Sequence, residues 1–490
     1  MAESKLNFPG FIGPSYVSRV GRFDRERTVN MYLETCGNIT QTGKENQPLT
    51  LIGFPGLTLQ WNLGSGPIRA LYIASNKYSM YIVSGNSVYL INETSYGVFS
   101  TPTLVGTILT SSGFVSIADN GQQVLIVDGL LGGGYYTTIG SNVLTQVNSA
   151  NFYPADTVAF QDGYFILNQS GTQSFFISDL YNTSFLPLNT ANKSGYSDIV
   201  VGVVSNNRQL YLMGKYTIET WWDSGQSGST PFVRQDGQFI QVGCMSPGSI
   251  QKLYNTFMWL GSSAEGQGVV YMMQNQQPVR VSNHAVEYAI QTTTGDLDIS
   301  VAYTWQLEGH YFYALQLPGS NTTWVYDVTT NQWVEQQSNI NGNMSRHLAQ
   351  NHCNFDGIHM VGDYSSGNIY TYDFNNFTDN GNPIVRSRQS PHSSSSLNRI
   401  FYKLLEIDIT PGTGITGGPA PKVTLEVSND GGITFSNPII ATIGKIGEYY
   451  SRCRWQRLGS SRDRVFRVSC SDPIKFDLLS AYISAEEGTA

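Results

Sequence analysis

The chain has 490 residues, of which 13% are Asp, Glu, Lys or Arg, about half the roughly 25% of an ordinary soluble domain. Fifty Gly, 29 Tyr, 23 Phe and 8 Trp with so little charge exclude coiled coils, helical bundles and most doubly wound α/β enzymes, whose surface helices need Glu and Lys, while 40% hydrophobic content excludes a disordered chain. The net charge of −8 and a pI near 5.3 exclude a generic basic nucleic-acid binder.

The first 27 residues run against this balance. They carry five basic side chains, Lys5, Arg19, Arg22, Arg25 and Arg27, against three acids. We read 1–50 as a basic N-terminal arm, with Arg19, Arg22, Arg25 and Arg27 as candidates for a protein interface. The opening MAESKLNFPG has no apolar run, and no stretch approaches the ~18 apolar residues of a membrane helix. The expectation is a chain made in a cytoplasm, folded reduced and not inserted in a membrane. Its five cysteines, Cys36, Cys244, Cys353, Cys453 and Cys470, lack CxxC spacing and predict neither a disulfide framework nor a zinc site. Cys453 and Cys470 read as small core residues.

From residue 51 the pattern is strand, turn, strand. Period-two runs rich in Val, Ile, Tyr and Phe alternate with Gly, Asn, Asp and Ser turns. Seven hairpins stand out, led by strands beginning near 78, 123, 164, 209, 256, 311 and 358, at intervals of 41 to 55 residues. A repeat of this length built from hairpins predicts β-propeller blades. One four-stranded blade has two apolar faces and cannot hide them alone; radial stacking buries both. We therefore read 51–385 as a propeller of six or seven blades, with aromatics filling the gaps between them. Residues 28–385 hold ten basic groups and 23 acids, which makes this body acidic.

The stretch Arg388–Leu397 is polar, small and Pro-containing, and reads as a linker. Beyond it, longer alternating strands such as 401–410, 422–428 and 463–470 predict a β-sandwich over 386–490. This part is basic, with thirteen cations to ten acids. Ser428-Asn-Asp430-Gly-Gly432-Ile-Thr434-Phe435 fits the Asp-box pattern, a hairpin turn closed by side-chain to backbone hydrogen bonds. Six arginines, Arg452, Arg454, Arg457, Arg462, Arg464 and Arg467, fall within sixteen residues. Strand alternation puts 452 with 454 and 462 with 464 on common faces. They form either a contact surface for protein or DNA, or a solvated face paired to Glu448 and Asp463.

Signals for catalysis are thin. His347, His352 and His359 lie near Asp356, but at no standard ligand spacing, so no metal or cofactor is predicted. No nucleophile elbow, zincin, P-loop or dinucleotide motif stands in its proper context. A propeller glycosidase needs carboxylates converging at the channel mouth. Asp128, Asp162, Asp223 and Asp363 lie at strand ends, yet every blade offers such turn acids. A hydrolase of host surface polysaccharide is therefore the alternative reading, a cytoplasmic scaffold propeller the third, and no catalytic residue is assigned.

One combination is more specific. Asn30-Met31-Tyr32, then Phe54-Pro55-Gly56, then Trp455-Gln-Arg-Leu-Gly followed by Arg464-Val-Phe-Arg-Val resembles the packaged-DNA stabilisation proteins, or tail accessory factors, of short-tailed phages. That resemblance implies a propeller with an added β domain, in a non-enzymatic virion protein assembled in the host cytoplasm. Six copies would form the tail nozzle below the portal and its adaptor ring. The ring would prolong the DNA channel, help retain the genome without binding DNA specifically, and carry fibres, spikes or a needle. No family contact residue transfers position by position.

Overall fold

The computed structural model describes residues 5–20, 23–35, 49–64, 66–226, 230–396, 398–410 and 412–488. Its architecture is all-β, a seven-bladed propeller joined to a β-sandwich. The seven predicted hairpins are real, but their leading strands are the second strand of each blade. Blade two shows the plan: Ser116–Asp119, Gln123–Val127, Gly134–Thr138 and Thr145–Gln146 pair antiparallel in sequence order. The second strands are covered on both faces and read as unbroken apolar runs; Ser79–Ser84 is buried at every position. The first strands line the channel and are more polar, as in Gln251–Leu253. This is why the hairpins were visible and the innermost strands were not.

Each gap between blades holds its own apolar cluster. Blades one and two share Tyr81, Leu90, Val124 and Ile126, and blades two and three share Leu125, Phe152, Phe165 and Phe176. Blades seven and one share Ile68, Ile82, Phe355 and Met360, which closes the ring. Aromatics do fill these gaps, with Phe175 edge-on to Trp221 and Trp305 stacked on Phe312.

The ring is latched by distant sequence. Blade seven contributes Ala349–Phe355, Ile358–Asp363 and Asn368–Asp373, and its outer strand is Gly56–Asn62, paired antiparallel from Asn368↔Asn62 to Asp373↔Gly56. At the seam a Cβ on Gly362 would lie 2.3 Å from Ile68 Cγ2, so only glycine lets blades seven and one approach this closely. Asn351 donates from Nδ2 to the Ile68 carbonyl at 2.6 Å across the same seam.

The sandwich has two sheets. One runs Met31–Thr35, Leu49–Gly53, Leu478–Glu487, Ile400–Ile409, Cys453–Ser461, with Leu6–Asn7 beside Leu478–Glu487. The other joins Arg25–Val29, Arg386–Gln389, Asp463–Cys470, Lys422–Ser428 and Ile439–Thr442. Between them lie Phe8, Phe11, Met31, Leu405, Trp455 and Phe466, together with the buried free thiols Cys453 and Cys470. The stretch read as an N-terminal arm therefore supplies strands to both sheets. The linker reading of Arg388–Leu397 also fails at its start. Arg386–Gln389 is a central strand, and the guanidinium of Arg388 is fully buried because four oxygens surround it. A short helix, His284–Gln291, was not foreseen; Asn283 caps it, and Val286 and Ile290 drop into the cluster between blades five and six.

Candidate functional site

The two domains meet along a built junction. The sandwich strand Arg25–Val29 abuts the outer strand of blade six, with Val29 opposite Glu335 in parallel register. Arg27 forks onto Glu335, both hydrogen bonds being 2.7 Å. The next residue, Asn30, is buried with φ +58, where the chain passes from one sandwich sheet to the other. Its amide imitates a strand: Nδ2 donates to the Gln337 and Val385 carbonyls, and Oδ1 accepts from Gln337 N, each at 2.9 Å. Phe54 then packs on Tyr32, Trp305 and Phe312, joining both domains in one aromatic cluster.

His310 is the ionic centre of this junction. Its Nδ1 meets Asp327 of blade six at 2.7 Å, and its Nε2 meets Glu34 of the sandwich at 2.8 Å. Burial opposes the charged ring, but the hydrogen bonds and charges of Asp327 and Glu34 outweigh it and hold the pKa up at about 9. The ordinary value is about 6.5, so the folded state binds the extra proton. Stability from this group is fully present below about pH 6.5 and is lost as pH rises through about 9. We expect on the order of 2 kcal/mol to disappear across that window, discounted for the water around Glu34. His310→Gln should flatten the slope of unfolding free energy between pH 6.5 and 9.5. An unchanged slope would mean that the ring is neutral in the fold. Glu26, raised to about 7 by burial against the pull of Arg388, acts in the same direction at lower pH, so the comparison is made variant against wild type.

The predicted interface arginines have separate fates. Arg19 is exposed, with its guanidinium 5.7 Å from the Tyr288 ring centre. Arg22 lies outside the described residues. Arg25 is half-buried, its stem against Gly432, and Arg27 is spent on Glu335. In the C-terminal group Arg452, Arg454, Arg457 and Arg462 are exposed. Arg452 approaches Glu406 only to 3.9 Å. Arg464 and Arg467 are structural. Arg464 is buried, donates to Asn429 and the Leu458 carbonyl, and sits 4.5 Å from the Tyr402 ring centre. Arg467 forks onto Glu426 under the Phe435 ring. The shared face of 462 and 464 is thus a wrong inference: Arg462 occupies the turn between two strands and Arg464 points into the core. The expected acid partners differ as well. Glu448 accepts from Lys445 N, and Asp463 from His392. The Asp box forms as read, with Asp430 accepting from Ser428, Ile433 and Thr434, contacts that lower its pKa.

The strand-end acids do not converge. Asp128 follows and Asp363 ends a second strand, whereas Asp162 follows a first strand and Asp223 ends a third, which places the two pairs at opposite ends of the propeller. Asp128, Asp223 and Asp363 are occupied as local turn acceptors, for Thr110 and Leu130, for Gly225, and for Ser365, Ser366 and Tyr370. His352 and His359 face each other at 2.9 Å, and burial lowers both pKa values. Among the described residues no group of three or more metal-binding side chains assembles. The propeller channel is crossed near the end where its innermost strands begin. Phe114 of blade two reaches across to the Pro247–Ser249 turn of blade five, where a Cβ on Gly248 would lie 3.3 Å from the ring.

A family model described as bacteriophage P22 Gp10, β-propeller, matches residues 14–376, and a second, bacteriophage P22 Gp10, β-sandwich, matches 386–486. The chain belongs to the bacteriophage P22 Gp10 family. It is thus a phage structural protein of the DNA-stabilisation class. The Gp10-family motifs noticed in the sequence are junction parts: Asn30 clamps blade six, and Phe54-Pro55-Gly56 turns the chain from the sandwich into the closing strand. Trp455 fastens the two sandwich edges by donating to the Ile439 carbonyl at 2.9 Å. The buried Arg386 and Arg388 were missed, although the alternation Arg-Ser-Arg-Gln is a strand signal. No curated protein matches the chain. Solved structures similar to it include the N-terminal domain of Nup159, at 12% identity over 70% of this chain and 98% of that one, TM-score 0.40. PorZ, from the type-IX secretion system of Porphyromonas gingivalis, has 11% identity over 66% and 38%, TM-score 0.38. The designed Ika8 protein has 13% identity over 71% and 99%, TM-score 0.36.

Proposed function

We propose that this chain is a tail nozzle subunit of a short-tailed phage. It works without catalysis, as a homohexamer that prolongs the DNA channel below the portal and adaptor ring. It helps retain the packaged genome and carries fibres, spikes or a needle. The observation that carries this reading is the pair of Gp10 modules, propeller then sandwich, spanning 14–376 and 386–486. The welded junction supports a rigid part that transmits position instead of moving.

The contact across the channel sharpens the reading. On this reading DNA passes between copies and not through one propeller, whose channel is crossed by Phe114 and the blade-five turn. The surface is also less acidic than the sequence total. Among the described residues nine of the acids in 28–385 are buried, against two of the basic groups, Arg69 and Lys193. A passage lined by such a surface offers few cations for counter-ion release, so duplex slides along it. The exposed Arg452, Arg454, Arg457 and Arg462 then serve acidic protein neighbours.

Imaging of purified protein, or of the particle, tests the assembly: a six-fold ring is expected and a lone disc overturns it. Duplex DNA should bind with micromolar or weaker affinity at physiological salt. Submicromolar binding would sink the sliding passage.

A further inference from the structure

Two groups of large apolar side chains stand in water at opposite ends of the molecule. The first lies on blade three, in the loop between Ser174–Ile177 and Thr190–Asn192. Phe185 anchors this loop, buried against Phe152 and Phe176 in the gap between blades two and three. Asp179 ties it together, accepting from the Ser184 hydroxyl and from Asn189 Nδ2. Leu180, Tyr181, Leu186 and Leu188 are left outside, Leu188 with 75% of its surface exposed. Asp223 of blade four lies close by: after burial, the charges of Asp223 and Asp179 raise the pKa of Tyr164. The carboxylates of these two acids accept from Ser184, Asn189 and Gly225, none of them a cation.

The second group lies on the sandwich. Ile439–Thr442 ends the sheet that starts at blade six, and Cys453–Ser461 ends the other, so these strands form the edge farthest from the propeller. Ile439 and Ile440, with Ile446, Tyr449 and Tyr450 from the loop between the two strands, are exposed, Tyr450 to 97%. The acid of that loop, Glu448, is turned onto the Lys445 amide. Arg454 and Arg457 follow on the second strand, exposed and with no ion-pair partner among the described residues; Glu406, across from Arg454, already takes Lys5. The sandwich joins the propeller at blades six and seven. Blade three is three blades from six in one direction and three from seven in the other.

We propose that these surfaces are the two halves of one contact between copies of this chain: the sandwich edge of one seats on the blade-three loop of the next. This rests on the ring reading and names the contact that builds the ring. Soluble chains rarely leave such apolar clusters uncovered. Pairing either surface with its own counterpart sets Arg454 and Arg457 against each other, or Asp179 and Asp223. Pairing the two different surfaces sets cations against acids around a shared apolar centre. A contact between unlike surfaces runs head to tail, so it grows into a ring, or a filament where its rotation does not close, instead of stopping at a pair.

Native mass spectrometry of the full chain tests it with two double variants, Leu186→Ser/Leu188→Ser and Tyr449→Ser/Tyr450→Ser. All four side chains are exposed, and unchanged thermal unfolding verifies that the variants fold. Wild type is expected to form rings, and each variant alone to self-associate at least about tenfold more weakly. Mixed in equal amounts, the two variants should form one-to-one pairs and no rings, because each brings the surface that the other lacks. Assembly of either variant at wild-type strength, or a mixture that does not pair, overturns the contact. Rings that persist in both variants leave the nozzle reading standing while this contact falls, whereas a wild-type chain that stays monomeric overturns both.

Discussion

Arg388→Met should cost the fold about 3–5 kcal/mol, one of the two largest effects expected of a single change in this molecule. The guanidinium is fully buried and donates from Nε to Phe11 O at 2.7 Å, from Nη1 to Pro14 O and Thr28 Oγ1 at 2.9 Å, and from Nη2 to Gly10 O at 2.9 Å. Methionine fills similar volume and supplies no donor. Three carbonyls then lose their partner inside the protein, and Glu26, 3.6 Å away, loses its counter-charge. The segment around Phe8 and Phe11, which plugs the sandwich core, is what those carbonyls hold. Urea unfolding should show a lower midpoint at unchanged slope, and limited proteolysis should open first between residues 8 and 14. The control is Arg467→Met, which breaks a partly solvated fork with Glu426 and should cost no more than about 1 kcal/mol. Equal losses at the two positions would show that Arg388 has no anchoring role.

The second large effect is at Gly56, where the closing strand begins. A Cβ there would lie 2.4 Å from Thr378 O, 2.6 Å from Asn376 O and 2.8 Å from Thr378 N. All three atoms are backbone, so no flexible side chain can yield. Gly56→Ala must move the closing strand or the 376–378 turn, at a cost of at least about 3 kcal/mol. Hydrogen exchange should quicken at residues 57–62 and 368–373, which pair with each other, before the middle blades respond. Gly266→Ala is the matching control: its Cβ would meet nothing within 4 Å, and the change should stay within about 0.5 kcal/mol. Unaltered exchange in the closing strand of Gly56→Ala would refute the latch.

What was readable in the sequence was local. Second strands such as Gln123–Val127 declare themselves by an apolar run and a neighbouring turn, and the Asp box is complete within eight residues. What was not readable depended on partners far away. Gly56–Asn62 looks like one more strand; only its pairing with Asn368–Asp373 makes it the closure. Arg25–Val29 looks like a basic arm until Arg386–Gln389 and Glu335 occupy its two sides. Arginines mislead in the same way. Arg464 and Arg388 follow a surface pattern by polarity, yet aromatic rings and carbonyl oxygens receive them in the interior, while Arg454 and Arg457 on the neighbouring strand remain in water. Arg457, at φ +58 beside a β-bulge, shows that the alternation itself breaks there, so counting by twos across 452–467 could not assign faces.

The pairing of early strands with late ones bears on inheritance. Leu49–Gly53 belongs to the sandwich and Gly56–Asn62 to the propeller, so fourteen residues of chain serve both domains before either can be completed. A genetic exchange that brought in a new segment 386–490 would import Ile400–Ile409, Cys453–Ser461 and their neighbours. It would leave Arg25–Val29, Met31–Thr35 and Leu49–Gly53 from the old lineage. The hybrid sandwich would have to mesh Leu51 with a foreign Leu478 and seat a foreign Arg388 among the carbonyls of Gly10 and Phe11. The tail end of this gene is therefore not a portable cassette. Recombinants that survive should be those that exchange the first fifty residues with the last hundred, or neither.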